Sequence, residues 1–379
     1  MSPLKTIKLD TIKNLFIFFP TLLYAPFFFS EVINSSLRIG YFFIVTFYLF
    51  FSNKKFFKKD LILLVLLILL VSIFLINIQE ISAIFTAGNY LLTIFFGWSL
   101  HRYFLASNTR KYSMLDFYVK FYYLVILSSA LSLIFLLTFG ELDFFGLKDE
   151  IRTHKVTPFG VHFLRGGLGE FSVYRSFFYF VEGAHASIFY AVNTVVIAPL
   201  LKNQSLIFSR LNLLGGFLTF SMTFYAVLII LYGFKKSKSF FSFFGVLLII
   251  AILSFIFQSI DILSYSSSDD RMERFLLFFI SMNAADVSQI LFGHGVGYDG
   301  GFLKAFNSGL SLSIYETGLI GTLLQLAIIY VLAPNAIIFL FFITASLVLD
   351  PIHYPLFWFL IIIASHIIRT EAHLKNLVK

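Results

Sequence analysis

Apolar residues fall in long unbroken runs along this chain, and the polar residues gather between them. Runs near the length needed to cross a bilayer, about 20 residues, recur at 14–30, 37–52, 61–78, 82–104, 115–139, 184–201, 206–233, 240–259, 310–332, 335–349 and 352–368. The pattern predicts an all-α, polytopic integral membrane protein, a single membrane domain over 1–379 with about 11–12 transmembrane segments. Two intervening stretches, 141–183 and 260–309, are too long and too polar to be turns, and function is expected there.

Lysine and arginine set the expected orientation. Lys54, Lys55, Lys58 and Lys59 lie between the second and third runs, and Arg102, Arg110 and Lys111 follow the fourth. These loops and both termini are therefore expected on the cytoplasmic side, with the two long loops outside. A single crossing by 206–233 would carry Lys235, Lys236 and Lys238 outward. A break near Thr219–Ser221 removes that conflict, because two short helices or a re-entrant hairpin return the chain to the side it came from.

Composition agrees with the pattern. The chain is 59% hydrophobic and 13% charged, against roughly 25% charged residues in soluble domains. Its 53 Phe residues read as bulk apolar filler. Cysteine is absent, which excludes a disulfide framework, a thiolate metal site and a cysteine nucleophile. Lys5, Lys8 and Lys13 precede the first run without a small-residue cleavage pattern, so an uncleaved first helix is expected. The net charge of +8 is assigned to inner loops facing anionic lipid, not to nucleic acid.

The first long loop holds Arg152, His154, His162, Arg165, Arg175, Glu182 and His185, groups that bind phosphate or move protons. Glu182 and His185 are three apart at a helix start, hence on one face. A dimetal site would need a second Glu-x-x-His pair, which the chain lacks, so no metal is expected. In the second loop Asp270 and Glu273 cap a helix beginning near Arg271, and Met272, Phe275, Leu276, Phe279 and Ile280 give it an apolar face for the membrane surface. Arg271 and Arg274 sit one turn apart on the other side, placed to hold a lipid pyrophosphate or to snorkel to headgroups. Gly293, Gly295 and Gly297 alternate around His294, as in an anion-holding turn of successive backbone N–H groups. His294 is an acid or base candidate, and Glu316, a carboxylate inside an apolar run, is a site candidate by its cost.

Three features together resemble the O-antigen polymerase family, Wzy-type, within the larger polymerase and ligase superfamily. They are the stretch from Arg175 through Glu182 and Gly183 to His185, the helix break with Thr219 and Ser221, and the glycine loop followed by Asn307, Gly309, Glu316, Gly318 and Gly321. Two positions depart from the pattern. Phe306 stands where the ligase branch places His before the Asn, and Met222 stands where the superfamily often has Arg. The resemblance implies a glycosyltransferase of the bacterial inner membrane with its active site facing the periplasm. It would move a growing glycan from undecaprenyl pyrophosphate to the non-reducing end of the next lipid-linked unit.

On that reading Arg165, Arg175, Arg271 and Arg274 contact pyrophosphate or glycan phosphate, Glu182, His185 or His294 does acid/base work, Gly295 and Asn307 shape the pocket, and Glu316 is a further substrate-binding candidate. No cofactor is required. The implied partners are the undecaprenyl-pyrophosphate-linked oligosaccharide, membrane lipid and a chain-length regulator. An O-antigen ligase or other lipid-linked glycan transferase is the rival enzyme, and a polysaccharide or lipid exporter is the rival from another class. An exporter predicts charges embedded along helices, whereas most charges here sit at loop ends.

Overall fold

A computed structural model describes residues 3–23, 35–53, 55–76, 81–139, 154–157, 160–165, 173–176, 183–201, 204–219, 221–237, 277–278, 280–296, 309–346 and 354–377. In chain order the helices are α1 (Pro3–Leu22), α2 (Ser35–Phe51), α3 (Lys58–Ile76), α4 (Ile81–Leu105), α5 (Asn108–Phe139), α6 (Gly183–Val192), α7 (Ser205–Leu218), α8 (Met222–Ser237), α9 (Val287–Phe292), α10 (Gly309–Leu332), α11 (Ala336–Ser346) and α12 (Pro355–Leu377). The chain divides into two compact units. One comprises Met1–Phe42, Asn108–Ile250 and Thr370–Lys379, the other Phe43–Ser107 and Ala251–Arg369.

By length and composition Lys58–Ile76, Ala83–Leu105 and Asn108–Phe135 are apolar enough to cross a membrane, as is Gly309–Leu332 when the two arms on either side of Gly318 are counted together. On α3 the side chains of Leu61, Ile62, Leu64, Val65, Ile68 and Leu69 all face outward. A helix surface of that kind is at home against hydrocarbon, and the chain is accordingly a multi-pass, membrane-embedded protein.

The helices dominate as expected, with one correction to the all-α expectation. Part of 141–183 forms a three-stranded antiparallel sheet, β1 (His154–Thr157), β2 (Gly160–Arg165) and β3 (Val173–Ser176), in the order β1-β2-β3. Its register pairs His154 with Phe163, Phe163 with Arg175 and Arg165 with Val173. The sheet lies beside α5. Short antiparallel strands satisfy their backbone groups against one another, which a polar stretch of this length can do without a helix.

In the first unit, Phe18 of α1 packs edge-on against Phe121 of α5 at 4.8 Å, and Asn14 donates to Ser113 Oγ at 2.8 Å. Helix α6 runs on through a π-helical turn, Asn193–Ile197, and a 3-10 turn, Ala198–Leu200. The wide turn accommodates buried Asn193, which accepts from Tyr118 Oη at 2.7 Å and donates to Asn212 Oδ1 at 3.0 Å. Asn212 passes the chain on, donating to the Phe208 carbonyl at 2.8 Å, so one polar thread joins α5, α6 and α7. Pro199 has no N–H to offer the Val195 carbonyl four residues back, and Lys235 Nζ donates to that oxygen instead, at 3.2 Å.

The break expected near Thr219–Ser221 is present as the junction of α7 and α8. Thr219 Oγ1 donates to the Gly216 carbonyl at 2.7 Å, and Phe224 N donates to Ser221 O at 3.0 Å. A continuous helix would hold residues 216 and 224 about 12 Å apart along its axis. Here the Phe224 ring lies on Gly216, where any β-carbon would collide with it, so the helix does not run on unbroken between them.

In the second unit the connection from α2 to α3 is fastened to α4 by a buried ion pair. Arg102 Nη1 donates to Asp60 Oδ2 at 2.7 Å, with both side chains almost fully excluded from the surface. Asp60 also accepts from Trp98 Nε1 at 2.6 Å and from Phe57 N at 2.8 Å. Arg102 Nη2 donates to Asn53 O at 2.6 Å, and its guanidinium lies over Phe50 and Phe56. Arg102, expected as a flanking cytoplasmic charge, is thus a structural cation whose donors are met by carboxylate, carbonyl and ring faces.

Removing one partner of such a pair leaves a buried charge uncompensated. Arg102→Met is expected to lower stability by about 3–5 kcal/mol. The double variant Asp60→Leu/Arg102→Met should recover much of that loss, read as thermal melting in detergent; equal melting of single and double variants would refute this account.

Candidate functional site

The candidate site is built on a helix that does not run straight. Helix α10 is interrupted at Gly318, whose φ of 68° and ψ of −176° are reached by glycine almost alone. The arms on either side, 309–317 and 319–332, hold 9 and 14 residues and fold against each other. Ser313 Oγ donates to Gln325 Oε1 at 2.6 Å across a separation of twelve residues. A straight helix would put those positions about 18 Å apart. Ser313 Oγ also lies 3.1 Å from Thr322 Oγ1, and Gln325 Nε2 donates to Thr317 Oγ1 at 3.2 Å. All four side chains are buried, and the clasp closes the inside of the bend. The apolar run at 310–332, expected as one crossing, is therefore two short arms, each under the length that spans hydrocarbon.

A break frees carbonyls that the next turn would have used. Those of Tyr315 and Glu316 are taken by the glycine loop: His294 N donates to Tyr315 O at 2.8 Å and Gly295 N to Glu316 O at 3.0 Å. The fit is reciprocal. A β-carbon on Gly293 would run into the Glu316 carbonyl, and one on Gly318 would run into that of Leu291. Two glycines in a conformation other residues resist let two backbones meet.

Helix α9 aims the loop. Asp286 caps it, its carboxylate accepting from Gln289 N at 2.8 Å while Gln289 Oε1 accepts from Asp286 N at 3.0 Å. That hydrogen bond from the Gln289 backbone, helped by the Ser288 hydroxyl, holds the Asp286 carboxyl below the usual range. At the end of α9 the chain leaves through Gly293 and delivers His294 onto Tyr315, ring on ring at 4.3 Å and 12°. His294 Nδ1 lies 3.3 Å from Tyr315 O. When Nδ1 carries the proton it donates to that carbonyl, and Nε2 then carries the lone pair.

Of the residues expected to act together, the structure brings three to one place: His294, Gly295 and Glu316, the last 6% exposed. Gly295 has a different task from the one expected. The N–H groups of His294 and Gly295 point to the freed carbonyls, so these two do not form an anion-holding turn. Arg165 ends β2 and Arg175 lies in β3, diagonal to each other across that ladder. His185 falls in the first turn of α6. Glu182, Arg271, Arg274 and Asn307 lie outside the described residues, as do the start of the expected interfacial helix and the run at 240–259.

The sequence reading missed Asp286, Tyr315 and the clasp of Ser313, Thr317, Thr322 and Gln325. A signal existed for each: Asp286-x-x-Gln289 is a capping-box spacing, and small hydroxylated residues recur around Gly318 inside an apolar run. No protein-family model, curated protein or solved structure matches the chain.

Two expectations follow from this geometry. Gly293→Ala and Gly318→Ala should each cost about 1–3 kcal/mol from backbone strain alone, whereas Gly88→Ala, with open space at its β-carbon, should be neutral or stabilising. Melting temperatures that fail to separate the two classes would contradict the docking described. Because the Asp286 carboxyl is depressed in the folded state, its support of α9 is complete above the ordinary aspartate value of about 3.9 and is lost as pH falls through the lower folded value. The protection of the Gln289 amide, its exchange taken relative to the intrinsic rate at each pH, should therefore fall on acidification below about pH 4, and Asp286→Asn should remove that dependence.

Proposed function

We propose that the protein is a Wzy-type polymerase of lipid-linked oligosaccharide repeat units, acting at the outer face of the bacterial inner membrane. The observation that carries this reading is the meeting of His294 with the Glu316 segment at a helix break inside an apolar, helical protein. A membrane-embedded enzyme on polyprenyl-linked sugars needs a proton acceptor and a carboxylate fixed near the edge of the hydrocarbon, and needs no nucleotide-sugar domain.

The transfer is one displacement. The acceptor hydroxyl oxygen attacks the anomeric carbon of the growing glycan, the carbon–oxygen bond to undecaprenyl pyrophosphate breaks, and the pyrophosphate leaves with the electron pair. The hydroxyl proton passes to His294 Nε2. Glu316, on the segment against which the loop docks, is the second side chain assigned to the site. Arg165, Arg175, Arg271 and Arg274 take the pyrophosphate charge, since a guanidinium offers paired donors that stay protonated. Glu182 and His185 are the alternative acid/base candidates, and Asn307 shapes the pocket.

The test uses purified protein in nanodiscs with the authentic undecaprenyl-pyrophosphate repeat unit, its products resolved by length on a gel. Wild type should give a ladder. His294→Ala and Glu316→Gln should slow it by about 100-fold or more at unchanged melting temperature, and Arg175→Ala should raise the substrate concentration required. Single units persisting with folded wild-type protein would sink the reading. Full activity of both His294→Ala and Glu316→Gln would remove these residues from the chemistry.

A further inference from the structure

A second polar site lies in the same unit as the ion pair and apart from the helix break. A cavity of about 330 Å³ is lined by Phe57, Lys58, Lys59, Asp60, His101, Leu105 and Arg369. Three of these side chains are basic, and the one acid among them, Asp60, is already committed to Arg102, Trp98 and the Phe57 N–H. Lys58 and Lys59 are exposed at the cavity and form no ion pair among the described residues. Lys59 lies within electrostatic reach of Arg369, a like charge. Arg369 Nη2 is buried, and no described group accepts from it.

Gathering uncompensated cations around a cavity is costly, and the cost falls when an anion with several acceptor oxygens enters. His101 forms part of the inner wall, fixed by its 2.9 Å contact from Nδ1 to His366 Nε2. The N-terminal end of α3, which begins at Lys58, adds its partial positive charge to the same place. Phe57 and Leu105, 37% and 38% exposed, make part of the mouth apolar. A rim of this kind beside a membrane-length helix suits a group carried on an acyl chain better than one arriving from water.

We propose that this cavity binds a phosphate group, supplied by an anionic membrane lipid whose chains lie along the start of α3. Lys59 and Arg369 hold the phosphate oxygens, Lys58 closes over them from the surface, and the lipid tail rests on Phe57 and Leu105. The site is independent of the glycan chemistry, and it stands or falls separately from the polymerase reading.

The full chain in detergent is titrated with short-chain phosphatidylglycerol, with phosphatidylcholine of equal chain length, and with inorganic phosphate alone. Saturable binding of phosphatidylglycerol, weakened about tenfold or more by Lys59→Gln and further by Lys59→Gln/Arg369→Gln, is the expected result. Lys59→Arg should retain binding, and Lys55→Gln, outside the cavity, should leave it unchanged. Lys59→Gln alters only an exposed side chain, so its effect remains readable should the double variant melt early. Binding of inorganic phosphate with the same sensitivity to these variants and none of phosphatidylglycerol would keep the phosphate site and overturn the lipid as its source. Equal binding of the two lipids, or binding indifferent to Lys59 and Arg369, would overturn the proposal.

Discussion

A backbone carbonyl released by a helix break has no water to turn to inside an apolar protein, and at three interruptions among the described helices a carbonyl oxygen has an internal partner. Lys235 reaches the Val195 carbonyl that Pro199 leaves unmatched. The Thr219 hydroxyl covers Gly216 where α7 gives way to α8. At Gly318 the partners are main-chain N–H groups from a distant loop. An unmatched group in hydrocarbon costs several kcal/mol, comparable to much of a domain's net stability, so these partners are conditions for the fold.

The break at Gly318 differs from the others in what satisfies it. At Val195 the donor is the Lys235 side chain and at Gly216 both the hydroxyl and the N–H of Thr219 donate, whereas the N–H groups of His294 and Gly295 come from a segment some twenty residues away. Main chain can come that close only where β-carbons are missing, which is why Gly293 and Gly318 face each other's segments. The Ser313, Thr317, Thr322 and Gln325 clasp then holds the bend from the inside, with every hydroxyl and amide in it buried. The position of Glu316 is set by two glycines and a hydrogen-bonded clasp, with the N-cap at Asp286 aiming the incoming loop.

Most of the helices were legible because an apolar run of sufficient length in this composition has few alternatives, and the α7/α8 break was legible because an unbroken crossing misplaced three lysines. The sheet was not. Its strands are four to six residues long and lie in a stretch whose histidines and arginines drew a chemical reading. The fold of α10 escaped for a different reason: hydropathy counts side chains and is blind to one residue's dihedral angles, so Gly318 reads as a small residue in a long run. The buried pair of Asp60 and Arg102, forty-two residues apart, is tertiary information that charge counting along the chain assigns to flanking loops. At the site, His294 and Glu316 were singled out by cost and chemistry, while the role of Gly295 came out reversed, since its N–H serves a carbonyl of the protein itself.

Because main-chain hydrogen bonds carry out the docking at the bend, the side chains displayed there are released from architectural duty. A substitution of the His294 or Tyr315 side chain therefore leaves the main-chain seat of the loop on the helix in place. Such a division between a main-chain frame and the side chains it displays means that chemistry at the bend can be lost by a single substitution without the bend itself being lost.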